Sequence, residues 1–450
     1  MSSDSLTGVR TRLDAGFLGE IDRSLKDTDE LLQAAYPGPA AGRQPVHTVY
    51  VPADRYTASL PAEWGRAAID LVDAHGGLAA VAALIGLSPE LAEEVSPRVA
   101  AKLEREPIED LRLDFEDGYG VRADAIEDAD AVAVAGRLAA AFRDGTAPPF
   151  AGLRFKCFEA PTRRRGIATF ELFVATLLAE LDELPTGLVI TFPKVSTVDQ
   201  VRAMVKVCAE LESTYGLPAG RLGFEIQVET PQLILGADGT AAIAKAIHVG
   251  DGRVTSLHYG TYDYSASLQI SAAYQTADHP AADYAKQVMQ VAVAGTAVAL
   301  SDGSTNILPL GDPAQVAAAW RIHADLVTRA LQRGFYQGWD LHPGQLPTRY
   351  LATFAFYRAG LPQAARRLRN YLGRVESEIM DEPATARALA RFLHRGLSCG
   401  AVDETELTRL VGLTGPALAA LSLPRSDTEG AAAPAPPAGT EPAPTRRSAT

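Results

Sequence analysis

The feature that most constrains this chain is an alternation between short β-rich runs and longer amphipathic stretches with helical periodicity. Eight such runs lie, in chain order, at residues 46–52, 111–115, 152–158, 187–194, 222–228, 254–260, 297–302 and 338–343. Strands that alternate with helices form parallel sheets, and eight βα units are enough to close a (β/α)8 barrel. A doubly wound open sheet is the alternative, but no GxGxxG turn follows the first run. The sequence therefore predicts an α/β fold, a (β/α)8 TIM barrel.

Segments outside and between these units divide the chain further. Residues 1–45 predict an N-terminal helix and a linker, and residues 46–345 form the predicted catalytic barrel. The first two strands are separated by residues 53–110, more than one crossover helix needs, so we predict a helical insertion there. Residues 346–423 predict a helical C-terminal extension. Residues 424–450 are rich in Ala, Pro, Gly and Thr, a composition that predicts a disordered tail.

Composition and charge narrow the classes of function. The formal net charge of −13 argues against a nucleic-acid or anionic-membrane partner, since either would require a basic face. No apolar run is long enough for a membrane span or a signal core. The three cysteines, Cys157, Cys208 and Cys399, form no CxxC pair, which argues against a disulfide framework or a structural zinc site. We therefore expect a cytoplasmic protein that acts on small molecules.

Acidic residues collect where the predicted strands end, and barrel active sites lie at that end. Glu116 and Asp117 follow the second strand, and Glu229 and Asp263 follow the fifth and sixth. Magnesium prefers oxygen ligands and keeps several waters, so two carboxylates from adjacent strand ends are enough to bind it. The sequence predicts a Mg²⁺ site at Glu229 and Asp263, with Mn²⁺ as the alternative cation. Two carboxylates bonded to backbone amides or lysines are the alternative interpretation.

Cationic residues accompany these acids. Arg154 lies on the third run, and Lys194 ends the fourth. Arginine suits a bidentate grip on a planar carboxylate or enolate, so both cations are candidates for contacting a negatively charged substrate. From the residues alone, Arg154 also fits a structural pair with a carboxylate such as Asp114. Lys194 equally fits a counter-ion for a carboxylate of the fifth strand.

Further candidate binding residues lie on the same predicted side of the barrel. Arg163, Arg164 and Arg165 follow the third strand, and three guanidiniums there would hold the phosphates of CoA, unless they form an ordinary solvated loop. Gln227 points to the same side of its strand as Glu229, either toward a ligand or within a polar network. His342 follows the eighth strand, where it either contacts substrate or caps the strand.

The motifs that carry these residues resemble those of the citrate lyase β-chain family and the related HpcH/HpaI aldolases, of the phosphoenolpyruvate/pyruvate-type TIM-barrel superfamily. They occur in the family order over about 300 residues, and they read VYVPADR (49–55), LDFEDGYG (113–120), LRFK (153–156), FPKV (192–195), VETPQLIL (228–235), YGTYDYSASL (259–268) and LHPGQL (341–346). The departures from the family pattern concern the choice of substrate more than the metal site, and one of them is the long insertion at residues 53–110. Lys156 replaces the Asn of the family's RVN strand, and Gln232 and Leu233 stand where a Gly is usual.

The resemblance implies magnesium-assisted cleavage or formation of a carbon–carbon bond, on an acyl-CoA or a 2-oxo acid, by a homo-oligomer. It implies that Glu229 and Asp263 bind the metal and that Arg154 holds the carboxylate or the developing enolate. It places Glu116 and Asp117 in the water shell of the metal or at the substrate rim.

We therefore expect a Mg²⁺-dependent lyase or Claisen/aldol-type synthase that works through a metal-stabilised enolate. Two alternatives stay open: an aldolase that acts on 2-oxo acids without CoA, and a non-catalytic barrel that serves as a binding or scaffold protein. The general base is not identified by the sequence. Asp340, His342, a carboxylate of the C-terminal helices and a residue of another subunit are the candidates.

Overall fold

The computed structural model describes residues 13–40, 42–373 and 382–423. Eight parallel strands form one sheet in the order β7-β6-β5-β4-β3-β2-β1-β8. The strands are β1 (His47–Pro52), β2 (Asp110–Asp114), β3 (Phe150–Arg154), β4 (Leu188–Phe192), β5 (Phe224–Val228), β6 (Val254–Tyr259), β7 (Ala299–Ser301) and β8 (Gly338–Asp340). They make a nearly closed barrel, so the predicted fold class is confirmed.

Helices precede the barrel, interrupt it after the first strand and follow each later strand. The first are α1 (Ala15–Ala35) and, between β1 and β2, α2 (Leu60–Asp73), α3 (Leu78–Leu84) and α4 (Pro89–Arg105). The others up to β8 are α5 (Asp124–Arg143), α6 (Arg163–Glu180), α7 (Val198–Thr214), α8 (Pro231–Ile234), α9 (Ala242–Val249), α10 (Thr261–Ser267), α11 (Pro280–Val293) and α12 (Pro313–Gln332). The helical insertion after β1 is thus present.

The C-terminal part is also helical, with α13 (Leu346–Gly373), α14 (Pro383–Ser398), α15 (Glu404–Val411) and α16 (Gly415–Ser422). The disordered tail predicted for residues 424–450 lies outside the described residues. In the part of the chain that is described, no single helix is long and apolar enough to cross a membrane, and only α2 and α3, which are bent by 72°, meet the length and composition criteria as a pair.

The chain forms two compact units. Unit 1 contains Met1–Ala40, Phe155–Ile167 and Ile190–Leu300, and unit 2 contains Ala41–Arg154, Ala168–Val189 and Ser301–Thr450. In unit 1, a row of buried aromatic rings runs from Phe155 and Phe158 through Phe192 to Phe224. Such edge-to-face and offset ring contacts add to the hydrophobic core.

The core of unit 2 contains a buried ionic network centred on Asp340. Its carboxylate contacts His47 Nδ1 at 2.7 Å, His323 Nε2 at 2.9 Å and the Arg349 guanidinium at 2.9 Å. Burial alone would raise the pKa of this carboxyl, but the charge of Arg349 and the two histidine hydrogen bonds hold the pKa of Asp340 well below its usual range. Because His47 Nε2 accepts the backbone N–H of Glu109, its Nδ1 carries the proton that Asp340 accepts.

We expect Asp340→Asn to lower the free energy of unfolding by about 3–5 kcal/mol, since it leaves a buried guanidinium without its counter-charge. Urea unfolding at neutral pH measures the change. Asp325→Asn, at an exposed position of α12, is the control and should leave the midpoint unchanged. A loss below 1 kcal/mol would contradict the central role of the network.

The same network predicts that the free energy of unfolding decreases at acidic pH. The folded-state pKa of Asp340 lies below its unfolded value, so its contribution is complete above about pH 4 and is lost as the pH falls further. Burial lowers the pKa of His323, so stability also declines as the pH drops below about 6.5. Unfolding curves of the wild type between about pH 2 and pH 8 check both trends, and a flat profile would contradict them.

Candidate active site

The polar face of β5 carries three side chains at alternating positions. Glu225, Gln227 and Glu229 are all almost completely buried. Glu225 accepts a hydrogen bond from Thr191 Oγ1 at 2.5 Å, and its other oxygen lies 3.0 Å from His258 Nε2. Glu225 therefore belongs to a polar network inside unit 1, whereas Glu229 lies one residue beyond the end of the strand.

Glu229 is held from two sides. Its Oε2 accepts the backbone N–H of Lys194 at 3.0 Å. On the other side it packs against Gly260, where a Cβ atom would lie 2.3 Å from Glu229 Cγ and 2.9 Å from Oε1. Gly260 directly precedes α10, so the absence of a side chain at this residue is what lets the carboxylate lie beside the start of that helix.

Asp263 approaches the same place from the first turn of α10. Its side chain is 44% exposed, and its Oδ1 lies 3.5 Å from the ammonium nitrogen of Lys194. Lys194 thus meets Glu229 through its backbone N–H and Asp263 through its side chain. The two carboxylates that the sequence predicts as metal ligands therefore both approach Lys194, one at its backbone and the other at its side chain.

Lys194 has an unusual backbone conformation. Its φ is 49°, in the left-handed region, where few residues other than Gly, Asn and Asp are found. Such a conformation costs on the order of 1–3 kcal/mol and persists only where the surroundings enforce it. Here the Lys194 N–H is bonded to Glu229, and the next carbonyl, that of Val195, accepts a hydrogen bond from Thr230 Oγ1 at 2.7 Å. The strain coincides with the candidate metal ligands.

The residues present fit a magnesium or manganese ion. The Lys194 ammonium lies near Asp263, so a positive charge already balances this carboxylate. Among the described residues, no cluster of three or more His, Cys, Asp and Glu side chains converges as a metal site does. Two carboxylates suit a hard cation that keeps water and substrate oxygens in its remaining positions, and they do not suit a closed zinc site.

Arg154 belongs to a second charged cluster, in unit 2. Its Nε and Nη2 donate to the two oxygens of Asp114, both at 2.7 Å, and its Nη1 lies 3.5 Å from Glu116 Oε2. The guanidinium also lies over the Tyr50 ring, 4.8 Å from its centre. Asp114 is itself fixed by the backbone N–H groups of Glu116 and Gly118. The structural pair with Asp114 is therefore present, and a substrate role for Arg154 stays a prediction.

The remaining candidates have more varied surroundings. Asp117 is exposed on the loop after β2, and Gln227 is fully buried. Arg163, Arg164 and Arg165 form the first turn of α6, with the first two exposed and the third half-buried. Their predicted contacts with phosphate, and that of Gln227 with ligand, stay predictions.

The structure also separates the candidates for the general base. His342 is half-buried, its Nδ1 accepts the backbone N–H of Gly344 at 3.1 Å, and burial lowers its pKa. It therefore caps the short 3-10 turn Pro343–Gln345, and its substrate role stays a prediction. Asp340 is fully buried, with its oxygens bonded to His47, His323 and Arg349, so it is not placed to exchange protons with a substrate.

Two residues of these clusters were missed from the sequence. Gly260 is needed beside Glu229, and the YG pair ahead of the helix that carries Asp263 was the available signal. Tyr50 packs on Arg154, and its place in the VYVPADR motif was the available signal.

Comparison with known proteins adds a family and a fold. A family model described as "Domain of unknown function (DUF6986)" matches residues 25–426. L-malyl-CoA/beta-methylmalyl-CoA lyase from Haloarcula marismortui is 34% identical over 111 residues, which are 24% of this chain and 29% of that protein. The chain therefore matches less than a third of the length of this curated relative.

A solved structure shows the same architecture. A citrate lyase from Burkholderia xenovorans LB400 superposes with a TM-score of 0.53 at 18% identity, over 82% of this chain and 99% of that chain. Haloferax volcanii malate synthase in a magnesium/glyoxylate complex gives a TM-score of 0.43 at 14% identity, over 85% and 98% of the two chains. The first of these likenesses shows the barrel fold.

We expect Gly260→Ala to lower the free energy of unfolding by about 1–3 kcal/mol, because the added methyl group overlaps Glu229 and overpacks the site. Thermal and urea unfolding measure the loss. Gly136→Ala is the matched control, since nothing lies within 4 Å of its added Cβ in α5, and it should be neutral or stabilising. Equal behaviour of the two variants would show that Glu229 is not packed against Gly260.

Proposed function

The chain belongs to the family described as "Domain of unknown function (DUF6986)", and we propose that it is a divalent-cation-dependent carbon–carbon lyase or Claisen/aldol-type synthase. The observation that carries the proposal is the meeting of Glu229 and Asp263 at Lys194, beyond the ends of β5 and β6. The relatives named as malyl-CoA lyase and citrate lyase support this class of reaction. We propose an acyl-CoA or a 2-oxo acid as the substrate.

In this proposal Glu229 and Asp263 hold Mg²⁺ or Mn²⁺. A bound ion would act as a Lewis acid that withdraws electrons from a substrate carbonyl. Glu229 supplies a rigid ligand, since the Lys194 N–H and Gly260 fix its carboxylate. Asp263 is half exposed on a short helix and supplies the more adaptable ligand.

Lys194 has two roles in succession in this proposal. Without a divalent cation, its ammonium balances the charge of Asp263. A bound cation would compete with the ammonium for the same carboxylate, and the flexible lysine side chain would then be available to the negative charge of a substrate. The strained backbone keeps the amide on Glu229 throughout, because only the side chain has to move.

Arg154 is our proposed ligand for a substrate carboxylate or enolate oxygen. Its bidentate pair with Asp114 and the Tyr50 ring beneath it fix the plane of the guanidinium before any substrate arrives. A fixed plane reduces the rotamer entropy that is lost on binding. Glu116, 3.5 Å from Nη1, makes Arg154 part of an ionic cluster, and we propose that Glu116 and Asp117 line the substrate rim.

Cation binding provides the direct test. We expect isothermal titration calorimetry to detect Mg²⁺ and Mn²⁺ binding to the wild type, and Glu229→Gln to weaken it about a hundredfold. We expect Lys194→Met to bind about tenfold more tightly, since loss of a partly screened competing charge corresponds to roughly 1.4 kcal/mol. Glu210→Gln and Lys206→Met, at exposed positions of α7, are the matched controls and should behave as the wild type.

The outcomes separate the parts of the proposal. A wild type that binds neither ion, and whose melting temperature is indifferent to Mg²⁺ and EDTA, would contradict the metal site and favour a non-catalytic barrel. A wild type that binds both ions while Lys194→Met binds more weakly would keep the metal site and exclude the lysine as a competitor.

We expect replacement of Arg163, Arg164 and Arg165 by Ala to raise KM for a CoA-linked substrate at least tenfold, with little change in kcat. The reason is that guanidiniums in the first turn of α6, exposed for Arg163 and Arg164 and half-buried for Arg165, would contact CoA phosphates and not the reacting bond. Cleavage assays with malyl-CoA, beta-methylmalyl-CoA and citrate measure the effect. Turnover of 2-oxo acids only, with KM unchanged in the variant, would instead indicate the aldolase that does not use CoA.

A further inference from the structure

Helix α1 exposes a row of large apolar side chains, which the other described residues of the chain leave uncovered. None of its 21 residues is buried. The exposed fractions are 46% for Phe17, 52% for Leu18, 41% for Ile21, 46% for Leu25, 59% for Leu31 and 52% for Leu32. Single exposed apolar residues are ordinary on a protein surface, but a contiguous row of six on one helix marks an interaction surface.

The spacing of these residues is that of a coiled coil. Leu18, Leu25 and Leu32 occupy one heptad position, and Ile21, Thr28 and Ala35 occupy the other, so the intervals alternate between three and four residues. Phe17 and Leu31 widen the row on one side. At 100° per residue the apolar arc covers about 140° of the helix, and all the charged residues lie on the remaining arc.

The C-terminal end of α1 is anchored within unit 1. Gly38 donates its backbone N–H to the carbonyl of Gly295 at 2.7 Å, and the rings of Tyr36 and His248 are in edge contact at 5.4 Å between centres. The helix is therefore attached to unit 1 at its C-terminal end, and its apolar row is available to a partner.

Charge distinguishes among the partners that such a row could take. The helix carries five acidic and two basic side chains, which are Glu20, Asp22, Asp27, Asp29, Glu30, Arg23 and Lys26. An acidic polar face is unsuited to an anionic lipid surface, which attracts Lys and Arg. Against another copy of α1, an antiparallel arrangement would set Asp22 against Asp29. A parallel, in-register arrangement sets Asp22 against Phe17 and Asp29 against Ser24, so no like charges meet across the contact.

We propose that α1 associates with α1 of other copies of this chain in a parallel helical bundle. The apolar arc of about 140° is wider than a two-stranded contact needs, so it favours three or four helices over two. Lys26 and Glu30, whose side chains pair at 3.7 Å, then lie on the outer, solvated face of the bundle. The proposal does not depend on the reaction that the barrel catalyses.

Sedimentation equilibrium on the full chain tests the assembly. We expect the wild type to have three or four times the mass of one chain, and Leu25→Lys to reduce the mass, because a charge enters the centre of the apolar row. Gln33→Lys adds the same charge on the outer arc and should keep the wild-type mass. Both variants should keep the wild-type circular dichroism and unfolding midpoint, because these side chains do not pack on the barrel.

Disulfide trapping tests the orientation. All three native cysteines are buried, so an introduced thiol is the reactive one. We expect Leu18→Cys to form a disulfide-linked pair on mild oxidation, since residue 18 faces residue 18 in a parallel bundle. Arg23→Cys, on the outer arc, should link poorly. Linkage of Leu18→Cys to Leu32→Cys in a mixture, with little linkage of Leu18→Cys to itself, would instead indicate an antiparallel arrangement and overturn the proposal.

Two further results would overturn it. A wild type with the mass of a single chain at tens of micromolar would show that the row does not associate. A Leu25→Lys variant with the full wild-type mass would show that the copies assemble through another surface.

Discussion

The pairing of β5 with β6 is the constraint on which the candidate active site depends. The two strands run in parallel, and an irregularity between Phe224 and Glu225 skips one residue of β6. Val228 consequently pairs with Tyr259, and Glu229 meets Gly260, the residue without a side chain. A register shifted by one residue would set Glu229 against Tyr259 or Thr261 instead. The site therefore depends on main-chain pairing as much as on its acidic side chains.

The fold could be predicted from the sequence because each strand and helix leaves a local pattern. All eight runs became strands, although the third ends at Arg154 instead of at residue 158, since the aromatic residues that follow it are buried in the core beyond the strand. The position of Glu229 and Asp263 after adjacent strands followed from the parallel topology. The left-handed backbone of Lys194 could not be predicted from the sequence. The partners of Asp340 could not be predicted either, because Asp340 contacts His47, which lies 293 positions away in the sequence.

The two charged clusters differ in how their charges are compensated. Around Lys194, each carboxylate has a different part of the same residue as its partner, and Asp263 remains half exposed. Around Arg154, a bidentate ion pair is buried and further fixed by backbone N–H groups. Exposed pairs exchange partners at little cost, whereas buried ones resist change. A ligand that arrives can thus alter the first cluster while the second keeps its shape.

The burial of every thiol has a practical meaning for work with this protein. Cys157, Cys208 and Cys399 are all shielded from water, and burial raises the pKa of the last two to about 12. A thiol becomes a nucleophile only as the thiolate, so Cys208 and Cys399 react little at neutral pH. Maleimide dyes and spin labels would consequently react only with cysteines introduced at exposed positions. Storage in air would not link the native cysteines by disulfides.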